Sequence, residues 1–353
     1  MNINKGGPFH GLLAGSLPDK ISDSGGVIMN QSMQNCLVSL KPGEGKTFLN
    51  MTVFPLIAQE TQGPGYITLG EAFSQGTMSI REVNESGHVP ELWAVNKGDN
   101  AVLILDGEEL RGAKQNRILN ASVLLKEHSE TIIPVSCTEQ GRWHSVGPEF
   151  ADSGYVASSG IRAKKMQSVA SSLQSRNSYQ SDQGEVWNQI HHLEETMGRQ
   201  SSTHAMRDTF ESQKKDLDEL LKSFPRVLDQ RGLAVFINGV FTGLELVSLH
   251  SAYQKYHEKF IQSYGMNALM ARKKEKTVLV KEGALEKVMQ EVLTSQHQSF
   301  PSIGYGKDYR YRDEHIIGAA LIYQKTPIHA AFFKLIPDLG RGKGPIRRDF
   351  HFD

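Results

Sequence analysis

The chain has 353 residues, 39% hydrophobic and 22% charged, which is enough to fill one large or two ordinary cores. Lys plus Arg and Asp plus Glu each number 39, so no net charge draws the protein toward nucleic acid or an anionic membrane, and neither is expected as a partner. No apolar run approaches the ~18 residues of a bilayer span and the N-terminus has no signal-peptide pattern, so a cytoplasmic location is expected.

In chain order, residues 1–33 read as a Gly-, Ser- and Asn-rich leader. Strand-like runs then recur at 36–40, 48–57, 66–72, 78–83, 92–95, 101–105, 118–125 and 131–137. Turn signals such as Pro42-Gly43, Ser86-Gly87 and Asp106-Gly107 separate them. Beyond Gly154 the apolar spacing becomes helical over 161–173, again after Asp182, and over 203–223. "GLAVFING" and "VFTGLELV" form a hairpin turning at Asn238-Gly239, followed by helices over 251–264 and 282–293 and a terminal apolar pair joined through Lys325-Thr326-Pro327.

The expectation is an α+β protein. An N-terminal, mostly antiparallel β-sandwich or barrel-like domain covers 34–150, and a linker and helical segment covers 151–229. A mixed α/β C-terminal part covers 230–340, and 341–353 is a basic, flexible tail. Cys36 and Cys137 are too few for a disulfide framework and are read as reduced thiols. The histidines have no metal-site spacing, so no metal is expected, and no cofactor is specified.

Candidate chemistry gathers in two polar motifs, each delivered by an apolar run. If 109–117 is extended, Glu109, Arg111, Gln115 and Arg117 share one face and Lys114 and Asn116 the other. Such a donor-rich set suits phosphate or carboxylate, and an internally paired polar hairpin is the alternative. "IPVSCTEQGRW" adds Glu139, Arg142 and Trp143, which join that cluster if the two strands pair. Cys137 in the same motif reads as inert packing rather than a nucleophile. Glu245 interrupts the apolar "GLELV" and is either a pocket acid or solvent-facing. The candidate ligand-binding residues are therefore Arg111, Lys114, Gln115, Asn116, Arg117, Arg142 and Trp143; the candidate catalytic residues are Glu139, as first-choice base, Glu109 and Glu245.

"LDGEELRGAKQNR", "IPVSCTEQGRW", "QGEVW", "GLAVFINGVFTGLEL" and "SYGMNAL" together resemble the domain named for its association with ADP-ribosylglycohydrolases and rhodanese-phosphatase proteins, over about residues 34–336. The resemblance implies a place in NAD or ADP-ribose metabolism and carries over no catalytic residues. The expected function is binding, with hydrolytic processing, of a small anionic nucleotide-like metabolite related to ADP-ribose. A non-catalytic sensor of that ligand and a homo-oligomeric assembly protein are the alternatives, and 153–182 reads as a lid or a variable insertion.

Overall fold

A computed structural model describes residues 29–59, 63–83, 90–142, 147–199, 201–272 and 278–335. The leader through residue 28, the Ser86-Gly87 turn, Trp143 and the tail at 341–353 lie outside the described residues.

The first element is a helix, α1 (Gln31–Ser39), rather than the strand expected over 36–40. Asn30 caps it by accepting from the Ser32 N–H at 2.9 Å, and Met33 and Leu37, one turn apart, are buried. Short strand β1 (Lys41–Pro42) and the hairpin β2 (Lys46–Phe48) and β3 (Met51–Ile57) follow. The strand expected over 66–72 is also corrected: β4 (Ile67–Thr68) passes directly into helix α2 (Leu69–Ser74), because Thr68 and Glu71 cap each other reciprocally.

Next come β5 (Met78–Glu82), β6 (Glu91–Asn96), β7 (Val102–Ile104) and the hairpin β8 (Glu108–Gly112) and β9 (Arg117–Leu119). The run expected as one strand over 118–125 breaks at Asn120, so β10 (Val123–Leu125) joins a different sheet. Strands β11 (Ser129–Cys137) and β12 (Phe150–Val156) complete the first half.

Helix α3 (Ser159–Arg176) precedes α4 (Gln183–Met197), where Asp182 accepts from the Glu185 N–H at 3.1 Å as the N-cap. The single helix expected over 203–223 is two, α5 (Met206–Ser212) and α6 (Lys214–Ser223), divided at Gln213. The hairpin β13 (Gln230–Ile237) and β14 (Val240–Val247) turns at Asn238 and Gly239, both at positive φ. Helices α7 (His250–Met270) and α8 (Ala284–Thr294) and strands β15 (Gln296–Pro301), β16 (Lys307–Arg312), β17 (Ile316–Tyr323) and β18 (Thr326–Lys334) close the fold.

The largest sheet has nine strands in antiparallel order β1-β3-β13-β14-β18-β17-β16-β15, with β2 on β3. A six-stranded antiparallel sheet runs β12-β8-β9-β11-β6-β5, and a three-stranded mixed sheet runs β10-β7-β4, with β4 parallel to β7. One face of the nine-stranded sheet packs on α1 and α8 through Leu37, Leu246, Val288 and Phe332. The other packs Leu233, Val247 and Phe333 against α3, α4 and α7, in a core that also takes Leu103 and Leu105 from β7 and its end. A third core fills the space between the two smaller sheets. Among the described residues no helix is long and apolar enough to cross a membrane.

Candidate functional site

The turn between β7 and β8 is where the charge in the sequence is spent. Leu105 ends an apolar strand buried on all sides, and the next four residues are Asp106, Gly107, Glu108 and Glu109, with all three carboxylates buried. Buried ionised groups need partners, and each of the three finds a different set. Glu108 accepts from the Leu105 N–H at 2.9 Å and from Lys259 of α7 at 2.7 Å, and Lys259 also reaches Asp152 at 2.8 Å. Asp106 meets Lys165 of α3, and the Arg162 Nε lies 3.6 Å from its other oxygen. Glu109 accepts from the Thr138 hydroxyl at 2.9 Å, and burial pushes its carboxyl up to about 7. Gly107, at φ +78, lets the Arg162 side chain lie against the turn, since a Cβ there would stand 2.7 Å from the Arg162 Cγ.

On the Asp106 side lies a buried polar chamber between the nine-stranded sheet and α3. Glu245 (β14) and His329 (β18) are diagonal neighbours on one sheet face, since Glu245 pairs with Ala331 and Val247 with His329. The His329 Nε2 lies 3.1 Å from the Glu245 carboxylate, and its Nδ1 lies 2.8 Å from the Ser122 Oγ. Arg162 donates to both Glu245 oxygens, and the Tyr264 hydroxyl donates to one of them at 3.1 Å. Burial alone would raise the Glu245 carboxyl, but Arg162 and His329 outweigh it and hold it below the ordinary value. Burial brings Lys165 down to about 8 against the pull of Asp106, so the ammonium is still mostly protonated at neutral pH.

A cavity of about 10 Å³, lined by Asp106, Ser122, Asp308, Arg310, His329 and small residues including Ala121 and Ala331, opens beside the Ser122 and His329 side chains. That is about the space of one water. Arg310 is held by Asp308 through two N–H groups at 2.6 and 2.7 Å, and its guanidinium lies 5.7 Å from the Tyr179 ring centre.

The polar hairpin expected to form one extended face is bent. Leu110 pairs with Arg117 and Glu109 with Ile118, and the chain reverses through Gly112 and Ala113, both at positive φ. Arg111 is consequently exposed, Lys114 half-buried, and Glu109, Gln115, Asn116 and Arg117 buried. Strand β9 pairs with β11, setting Arg117 opposite Cys137, so the two polar motifs do come together.

Their residues are largely committed to one another. Arg142 donates to both Glu139 oxygens at 2.9 and 2.7 Å, to the Ala113 carbonyl at 2.7 Å and to the Asn116 Oδ1 at 3.2 Å. Glu139 also accepts from the Thr203 hydroxyl and the Asn116 N–H. Burial raises its carboxyl, but these donors prevail and hold it low. Arg117 donates to the Gln115 Oε1 at 3.0 Å and lies 3.7 Å from Glu82. Burial lifts the Cys137 thiol to about 11, and its sulfur donates to the Gln115 Oε1 at 3.3 Å.

Sequence reasoning missed Ser122, His329, Arg162, Lys165, Asp106, Asp308 and Arg310. One signal was present: His329 interrupts "IHAAFF" as Glu245 interrupts "GLELV", a lone ionisable group in each of two apolar strands.

On the Glu108 side of the same turn runs an open groove of about 790 Å³, whose walls include Thr68, Phe73, Ser74, Ser153, Lys255 and Lys259. Its size falls within the ~300–1,000 Å³ usual for ligand clefts. Arg111 pairs with Ala151, which also lines the groove. Among the described residues no group of three or more His, Cys, Asp or Glu is placed to hold a metal ion.

Comparison with the curated proteins and with the solved structures returns no match. A family model does match, over residues 39–333, which takes in both the chamber and the groove. The chain belongs to the family of the ARG and Rhodanese-Phosphatase-superfamily-associated Protein domain (ARPP-1), whose name links it to proteins associated with ADP-ribosylglycohydrolases and rhodanese-phosphatases.

Proposed function

We propose that this protein binds and hydrolyses an anionic, nucleotide-like metabolite related to ADP-ribose. The observation that carries the hydrolytic half is the His329–Glu245 couple. An ionised carboxylate accepts at Nε2, so the ring proton sits there and Nδ1 is left as a base beside the cavity. Arg162 keeps that carboxylate ionised, which also favours the imidazolium formed when Nδ1 takes a proton.

The family link supports the metabolite class. The groove supports binding through its size, through Lys255 on its wall and through exposed Arg111 across from Ala151. Glu245 then orients the base, while Glu109 and Glu139 brace the hairpin through Thr138 and Arg142.

The test pairs ligand binding with turnover. ADP-ribose, NAD, AMP and inorganic phosphate are screened by thermal shift, where a ligand at about 100 times its Kd stabilises by about 2.7 kcal/mol. Product release is followed with wild type and His329→Gln from ADP-ribose, NAD and a peptide ADP-ribosylated through a carboxylate ester. Stabilisation by ADP-ribose compounds, with turnover of at least one of the three about 10²-fold or more slower in the variant, is expected. Stabilisation without turnover by wild type leaves a sensor; neither effect removes the reading altogether.

A further inference from the structure

We infer that Ser122 is a nucleophile activated by His329 and Glu245, and that the bond it attacks is a carboxylate ester. On the reading above, the substrate is then an acyl ester of a ribose hydroxyl in an ADP-ribose-like metabolite. The inference rests on three hydrogen bonds and on the ring tautomer that the Glu245 carboxylate favours. The Asp106 N–H donates to the Ser122 Oγ at 2.9 Å, so the Ser122 hydroxyl hydrogen is free to point elsewhere. In the neutral His329 imidazole whose Nε2 donates to the Glu245 carboxylate, the Nδ1, 2.8 Å away, is the acceptor. The Ser122 hydroxyl therefore donates to Nδ1, the direction in which its proton must leave for the oxygen to become a nucleophile. The two ring nitrogens have exchanged the places they hold in serine proteases, yet base, nucleophile and orienting carboxylate stand in the same order.

The chemistry balances with water as the second reactant. The Ser122 oxygen attacks the ester carbonyl while its proton passes to the His329 Nδ1, and Glu245 stabilises the resulting imidazolium through Nε2–H. Collapse of the tetrahedral adduct breaks the bond to the ribose oxygen, which takes the proton from Nδ1 and leaves, with the acyl group now on Ser122. Water, deprotonated by Nδ1, attacks that acyl carbon, and Ser122 departs with the proton returned. The cavity bounded by Ser122, Ala121 and His329 has the volume of about one water.

The partners of the other charged groups select an acyl ester over the alternatives. Glycoside hydrolysis ordinarily needs two carboxyl groups facing the scissile bond, whereas Asp106 and Asp308 are engaged by Lys165 and Arg310. Phosphoryl transfer needs cations to clamp the transferred group, and Arg162, Lys165 and Arg310 are each paired to a carboxylate. A neutral ester carbonyl makes neither demand.

Access is by way of residues 177–182, which lie beside this end of the chamber. The Tyr179 carbonyl accepts from Asn120, two residues before Ser122, its hydroxyl donates to the Pro301 carbonyl, and its ring lies near Arg310. None of residues 177–182 is buried, so the segment is held by hydrogen bonds rather than apolar packing, and opening it exposes little core.

The full chain is treated with an alkyl fluorophosphonate, which phosphonylates an activated serine with release of fluoride, and with p-nitrophenyl acetate. A single adduct per chain mapped to Ser122 by peptide mass spectrometry is expected, along with a burst of nitrophenol. Both should be absent in Ser122→Ala and slower by about 10²-fold or more in His329→Gln. A folded wild type with no adduct on Ser122, or Ser122→Ala still hydrolysing the ester at the wild-type rate, overturns the inference. The two proposals fail separately. Turnover of ADP-ribose compounds with Ser122 unmodified keeps the metabolite reading and removes the nucleophile, and labelling of Ser122 without any response to ADP-ribose compounds does the reverse.

Discussion

Arg142 is a guanidinium whose acceptors are both oxygens of Glu139, just past β11, and, in the hairpin it braces, the Ala113 carbonyl and the Asn116 Oδ1. Removing one partner of such a pair leaves the other buried and uncompensated, at a cost of about 3–5 kcal/mol. Arg142→Ala should therefore lower stability by about that much in urea unfolding, and a change below about 1 kcal/mol would show that the pair is not structural. Glu109 makes the opposite case, a buried carboxyl that burial pushes up to about 7 from 4.5 against the pull of the Thr138 and Ser153 hydroxyls and of Arg207. Between those values the folded chain binds more protons at Glu109 than the unfolded one. Its contribution is full below pH 4.5 and is lost as pH rises to 7, by about 3 kcal/mol at ~1.36 kcal/mol per unit. Glu109→Gln keeps the acceptor and removes the titration, so its urea midpoint should fall less than the wild type's between pH 5 and pH 8; equal falls would refute the assignment. Glu245 was legible in the sequence as a lone carboxylate in an apolar strand, and Glu109 as one member of a polar block between strands. Their partners Arg162 and Thr138 were not, because helix α3 and the residue just past β11 deliver them through contacts that no local pattern marks.

At the scale of elements, sequence periodicity located most strands and helices and missed where local capping overrides it. "TLGEAF" reads as a strand by composition, yet Thr68 and Glu71 satisfy the first N–H groups of a helix, and the helix wins. β15 and β16 have polar sequences, "QHQSFP" and "KDYRYR", and only the pairing of β16 with β17 and of β15 with β16 identifies them as strands. Helix α3 hid the chamber's cations because Arg162 and Lys165 sit one turn apart on a helix whose neighbouring positions Met166 and Val169 are core, and long cations on helices are usually solvated. The turn from β7 to β8 shows what such placement demands. Gly107→Ala meets positive φ, worth about 1–3 kcal/mol, and also drives a methyl into Arg162. Gly76→Ala, at φ +67 with nothing within 4 Å, meets the strain alone. The first variant should be the more destabilised in urea unfolding, with the difference reporting the Arg162 contact; equal losses would mean that Arg162 moves aside freely.

The whole molecule is tied together by strands that cross its sequence halves. Strand β3 pairs with β13 from Met51 to Ile57, which places an N-terminal strand inside the sheet that holds Glu245 and His329. The core on that face runs from Met51 and Leu103 through Met166 and Tyr256 to Phe333, so each half supplies side chains that bury the other. The chamber depends on the same arrangement: Ser122 comes from the segment between β9 and β10, Arg162 from α3, Glu245 from β14 and His329 from β18. Composition and turn spacing show two sequence regions of different character, but pairing between distant strands leaves no mark in either. A chain with separable cores would melt in steps, whereas one whose central sheet takes strands from both ends has no half able to keep its core when the other opens. Scanning calorimetry should accordingly show one transition with a calorimetric to van't Hoff enthalpy ratio near 1. The chamber variant His329→Gln should shift that transition as a whole; two resolved transitions, only one of them moved by the variant, would mean that the halves fold independently and that β3 is a detachable edge.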